Sequence, residues 1–165
     1  MGLDLYIKAL IKEKKTDRII SNSFENGFFE VCWWCGHKFG DIIDKIIDIC
    51  NSHMNTNYTN KNYEIPIPQF ALRDIYALLV KRSYLPDDEE FEVLPCHIEW
   101  EERHSYEYDN LVNADKLSSI IYQLQCIEHY NDPITDMYIP DLEDKKAFNA
   151  NPQNYEWQFR FVMSY

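Results

Sequence analysis

The residues best suited to chemistry are Cys32, Cys35, Cys50 and His53, spaced Cys-x2-Cys-x14-Cys-x2-His. Two pairs at knuckle-like spacing supply three thiols and an imidazole, a donor set able to enclose a zinc ion tetrahedrally. Cys35-Gly36 followed by Phe39 is also similar to the turn of a zinc ribbon. The other reading is that these are buried thiols. Cys50 continues the apolar stripe of a helix, and Cys32 sits inside an apolar strand, where a free cysteine behaves as a small hydrophobe. Trp33 and Trp34 stand where a knuckle usually carries small or polar residues, which favours buried thiols over zinc. The same Cys32 to Cys35 segment lies between a strand and a helix, the setting of a redox-tuned thiol pair. Its bulky spacer, and a helix that starts several residues later, argue against thiol–disulfide exchange.

A second cluster is His97-Ile98-Glu99-Trp100-Glu101-Glu102-Arg103-His104. In an extended chain His97, Glu99 and Glu101 share one side, and imidazole beside carboxylate can hold a divalent cation or relay a proton. A metal-assisted hydrolase would use His97, Glu99 and His104. Carboxylate crowding in an acidic segment produces such a pattern by itself, so a solvated face is the simpler reading. A zinc deaminase is excluded, because His-x-Glu follows the Cys pair instead of preceding it and the Pro before that pair is missing. Four glycines and no Gly-x-Gly-x-x-Gly, phosphate loop or Gly-x-Ser-x-Gly elbow leave nucleotide and serine-hydrolase chemistry unsupported.

Charge separates the two halves of the chain. Met1 to Leu85 holds 11 Lys and Arg against 10 Asp and Glu, whereas Pro86 to Tyr165 holds 5 against 18, for a net charge of −12. Such a surface repels nucleic-acid phosphates and attracts basic protein surfaces, which argues against direct nucleic-acid binding. The candidate acidic binding surface comprises Asp87, Asp88, Glu89, Glu90, Glu99, Glu101, Glu102 and Glu107, within the stretches Asp87 to Glu92, Glu99 to Glu107 and Asp132 to Asp144. Five cysteines, an odd number, with no basic-plus-apolar leader at the N-terminus, predict reduced thiols and a cytosolic location. No apolar run nears the roughly 18 residues needed to span a bilayer, so no membrane association is expected.

The elements that must position these groups follow from periodicity. Leu3, Leu5, Ile7, Ala9 and Ile11 alternate as a half-buried strand, although Leu10 breaks the polar face. A short strand is predicted at Arg18 to Ser21 and another at Phe28 to Trp34. Ile42, Ile43, Ile46, Ile47 and Cys50 mark an amphipathic helix, followed by a loop from Asn51 to Glu64. Pro66 and Pro68 lead into a helix over Phe70 to Val80. A third helix is predicted from Ala114 to Tyr130 with Asn113 as N-cap, then irregular chain from Ile134 to Asn154. Trp157, Phe159, Phe161, Met163 and Tyr165 give a final strand. Together these predict one α+β domain spanning 1–165: an antiparallel or mixed sheet with strands from both termini and about three helices packed on it.

The opening Met1-Gly2-Leu3-Asp4-Leu5-Tyr6, with Val31-Cys32-Trp33-Trp34 leading into an amphipathic helix, resembles a loose family of small uncharacterised bacterial and phage proteins that begin Met-Gly-Leu-Asp. The resemblance covers mainly the first 50 residues or so and implies a phage or mobile-element context. It transfers no catalytic residues. The expectation is therefore a non-catalytic acidic interaction protein binding a partner with a basic surface, with a zinc module and a metal-assisted hydrolase as alternatives.

Overall fold

In the terminal segments Asp4 to Glu13 and Tyr155 to Ser164, apolar and polar residues alternate, and the two lie side by side at the centre of one sheet. A computed structural model describes residues 4–21, 27–35, 40–83, 100–125 and 138–164. Strands β1 (Asp4–Glu13), β2 (Phe29–Cys35), β3 (Glu64–Ile67) and β4 (Tyr155–Ser164) form an antiparallel sheet in the order β2-β1-β4-β3. β1 and β4 pair without a slip from Asp4 opposite Ser164 to Glu13 opposite Tyr155. Helices α1 (Gly40–Met54), α2 (Leu72–Ser83), α3 (Trp100–Gln125) and α4 (Leu142–Ala150) complete an α+β fold, with short 3-10 turns at Gln69–Ala71 and Pro152–Asn154. No described helix is long and apolar enough to cross a membrane.

One face of the sheet is dry. Leu5, Ile7, Ala9, Ile11, Trp34, Ile65, Phe159 and Phe161 meet Ile42, Ile46, Leu72, Ile75, Leu117 and Ile120 from the helices in a single core. A buried aliphatic or aromatic side chain contributes about 1.5–3 kcal/mol, so this face dominates stability. On the opposite face Tyr6 and Lys8 remain partly exposed, as alternation requires. Leu10 also belongs to that second face, yet it is buried. Gly27 passes beside it at φ +88°, and a Cβ there would lie 2.9 Å from Leu10 Cδ1 and closer still to Ile19 Cγ2.

Local departures from the periodic reading have identifiable causes. β2 carries a register shift: Ile7 faces Cys32 but Lys8 faces Glu30, leaving Val31 as the extra residue of a bulge. That is why Val31 and Cys32, adjacent in sequence, are both buried. The strand expected at Arg18 to Ser21 reduces to a single bridge between Lys12 and Ile19. There main-chain bonds run from the Glu13 N–H to Arg18 O at 2.8 Å and from the Ile20 N–H to Ile11 O at 2.9 Å, and the Ser21 hydroxyl supplements them, accepting the Ile11 N–H at 3.0 Å and donating to Gly27 O at 2.6 Å. β3 was expected to be loop and lead-in. Pro66 lacks an N–H, and it is accommodated because β3 is an edge strand whose Ile65 and Ile67 point inward.

Two helices depart most from expectation. α3 begins at Trp100, well before Ala114, and Asn113 lies inside it as a core residue instead of capping it. Asn110 and Asn113 occupy inward positions there, so no apolar stripe marks that part of the helix. α4 replaces the irregular chain expected between Ile134 and Asn154. Only Phe148 is buried in it, while the Asp141 carboxylate caps it by accepting the Asp144 N–H at 2.9 Å.

Candidate interaction face

Of the candidate zinc set, Cys32, Cys50 and His53 have described side chains, each with its own local surroundings. Cys32 is fully buried, and its thiol donates to the Asn113 carbonyl at 3.6 Å. Cys50 is fully buried on the apolar stripe of α1. Burial pushes both thiols up, Cys50 to about 12 and Cys32 further, so the thiolate needed for metal ligation or disulfide exchange is disfavoured at each. His53, in the last turn of α1, has Nε2 2.6 Å from Asp74 Oδ2 in the first turn of α2. Cys35 closes β2. Among the described residues no group of three or more His, Cys, Asp or Glu side chains is assembled to hold a metal ion.

Of the acidic and histidine cluster, Asp87, Asp88, Glu89, Glu90, His97 and Glu99 lie outside the described residues. Glu101, Glu102, His104 and Glu107 fall on α3. Glu101 is helical, so it does not take the extended geometry expected to align it with His97 and Glu99. In the stretch Asp132 to Asp144, Asp141 and Glu143 are exposed, but Asp144 is not free. Arg18 donates to both its oxygens, at 2.6 and 3.0 Å, and this fork removes Asp144 from the acidic surface.

The Trp33-Trp34 pair is where the tertiary structure adds most. Adjacent strand residues point to opposite faces, so Trp34 is fully buried while Trp33 is 42% exposed. The Trp34 indole N–H donates to Asn110 Oδ1 at 3.1 Å. Three residues on, Asn113 binds the main chain of Trp33 at both ends: its Nδ2 donates to the Trp33 carbonyl at 2.8 Å and its Oδ1 accepts the Trp33 N–H at 3.2 Å. The carboxamide thus stands in for the peptide of an absent neighbouring strand and closes the outer edge of β2. Spacing of i and i+3 places both asparagines on one face of α3.

Around Trp33 the open sheet face carries a defined set of groups. Tyr6 is its cross-strand partner, and Lys8 opposes Glu30 on β2 and Arg160 on β4. Lys8 Nζ lies 5.0 Å from the Tyr6 ring centre, and the Arg160 guanidinium sits 4.5 Å over Phe28 while binding Glu64 at 2.9 Å. The Tyr6 hydroxyl is raised above its ordinary value by burial first, then by the carboxylates of Asp4 and Glu30; Lys8 and the neighbouring Trp33 indole act the other way. Sequence reading placed β2 but did not single out Trp33. Alternation along β2 was the available signal, since one of two adjacent tryptophans on a half-buried strand must face outward.

No protein-family model, curated protein or solved structure matches this chain.

Proposed function

We propose that this is a non-catalytic interaction protein whose acidic second half docks on a basic surface of a protein partner. The observation that carries this reading is the charge division, 5 Lys and Arg against 18 Asp and Glu from Pro86 to Tyr165. Opposite potentials steer association and discriminate partners. Within the described residues Asp115, Asp141 and Glu143 are exposed contributors, while Asp144 is neutralised internally by Arg18. The partner class that fits is an enzyme handling nucleic acid, because its phosphate site is necessarily basic and an acidic surface would occlude it.

The test is affinity capture at low ionic strength, followed by elution and affinity measurement across a salt series. The screening length falls from about 10 Å at 0.1 M to about 3 Å at 1 M, so affinity should drop steeply. Binding that is indifferent to salt sinks the electrostatic docking.

A further inference from the structure

The open face of the sheet is uneven in charge. At its β3 side Arg160 is matched by Glu64. At its β2 side two carboxylates, Asp4 and Glu30, flank one ammonium, Lys8, around the aromatic pair Tyr6 and Trp33. Among the described residues of the sheet, that corner is therefore aromatic and carries two carboxylates to one ammonium, while Lys116 of α3 lies within electrostatic reach of the neighbouring Cys32. Two of the protein's own cations already rest on rings of this face, Lys8 on Tyr6 and Arg160 on Phe28, which shows that its geometry accommodates cation–π contacts.

We infer that the exposed face of Trp33, beside Tyr6 and flanked by Asp4 and Glu30, is an anchor that receives an arginine side chain from the basic partner. This rests on the reading of the protein as a binder of basic protein surfaces and adds to it a point of specificity on the first half of the chain. Trp has the strongest ring quadrupole of the aromatic side chains, and a planar, weakly hydrated guanidinium stacks on it better than an ammonium does. Glu30 is exposed and Asp4 partly so, which lets them pair with the guanidinium edge while the ring takes its face. Trp33 is also pre-positioned: Asn113 fixes its main chain at both the N–H and the carbonyl, so little ordering remains to be done on binding.

The experiment titrates the full chain, labelled for NMR, with a nine-residue arginine peptide, a nine-residue lysine peptide and a nine-residue glutamate peptide at low salt. The Trp33 indole N–H resonance is assigned by its loss in Trp33→Leu, which keeps apolar bulk and is checked for folding by circular dichroism. The arginine peptide is expected to shift that resonance and to bind roughly tenfold more weakly to Trp33→Leu, the size of one exposed-to-desolvated cation–π contact. Asp4→Asn/Glu30→Gln, which leaves the ring intact, should weaken it by several-fold, the lysine peptide should bind less tightly, and the glutamate peptide should not bind. If the arginine peptide binds Trp33→Leu and wild type equally and leaves the indole unmoved, the anchor is overturned while acidic docking elsewhere stands. If neither basic peptide binds at low salt, the docking reading itself fails, and the anchor with it.

Discussion

The Asn113 carboxamide bonds both main-chain polar groups of Trp33, donating to the carbonyl at 2.8 Å and accepting the N–H at 3.2 Å. A helix side chain thereby finishes the edge of a sheet. Asn113→Leu, close to isosteric but unable to hydrogen-bond, leaves two strand groups unpaired beneath α3. A buried orphan costs about 1–3 kcal/mol; both bonds are part-buried, so the pair together should cost about 1–3 kcal/mol of unfolding free energy, read from urea denaturation. A bare strand edge also templates pairing with other chains, and light scattering of the variant should rise on concentration. A midpoint within error of wild type would mean the amide is not closing the edge.

Asn110 presents the complementary case. It is fully buried, its Oδ1 accepts the Trp34 indole N–H, and its Nδ2 has no hydrogen-bond partner among the described residues. Trp34→Phe should destabilise by about 2–4 kcal/mol, combining lost packing with an acceptor left unmatched. Asn110→Leu orphans the indole but also removes the unpaired amide donor. The double variant should therefore cost less than the sum of the singles, by about 1 kcal/mol in a double-mutant cycle. Strict additivity would count against the bond.

Gly27 is required by its conformation and by its neighbours. At φ +88° an L-residue is strained, and a Cβ would press on Ile19 and Leu10. Gly27→Ala should lower stability by at least about 1 kcal/mol. Gly27→Ala combined with Ile19→Ala relieves the Ile19 contact but leaves the Leu10 contact and the strained φ, so thermal denaturation of the pair should recover only partially toward Ile19→Ala.

Burial keeps the Cys50 thiol protonated up to about 12 in the folded protein, whereas an unfolded chain releases that proton near the ordinary value of 9.0. A group raised on folding contributes stability that is complete below the unfolded value and is lost as pH climbs through the folded one. Stability should thus fall from about pH 9 toward pH 12. Cys50→Ala should show a shallower alkaline loss, measured as the urea midpoint against pH. In a chain carrying Cys35→Ser, Cys96→Ser and Cys126→Ser, native Cys32 and Cys50 should react with a disulfide reagent only as fast as the protein unfolds. Rapid labelling at pH 8 would show the thiols to be accessible.

The fork from Arg18 to Asp144 ties the turn after β1 to the first turn of α4. The Asp144 side chain is only 16% exposed while Arg18 is 54% exposed. Asp144→Asn keeps the shape but loses the charge, and should lower the thermal midpoint slightly, as expected for a bidentate pair near the surface. The loss should shrink in high salt. A salt-independent loss would mean that the charge of the fork is not what stabilises this contact.

Elements with an intact apolar rhythm were legible. β1, β4, α1 and α2 each carry their own burial pattern, so the α+β class and the strands at both ends follow from residue order. Cys50 on the α1 stripe was likewise readable as a core residue. Elements whose inward positions are polar or single were not: α3 was legible from Ala114 onward, but Asn110 and Asn113 hid the turns before it, and Phe148 alone could not announce α4. β3 was hidden by Pro66, a residue that excludes a central strand but not an edge.

By itself the sequence determined which segments could bury a face, and it determined the charge division, because both are sums over residue types along the chain. What only the tertiary structure decided is which polar groups meet. Trp33 and Asn113 are 80 positions apart, and Arg18 and Asp144 are 126 apart. No local period encodes such pairings; they arise when packing of the apolar faces brings distant donors and acceptors together. The same packing fixed the direction of the two adjacent tryptophans, one into the core and one outward at the corner where an arginine is proposed to bind.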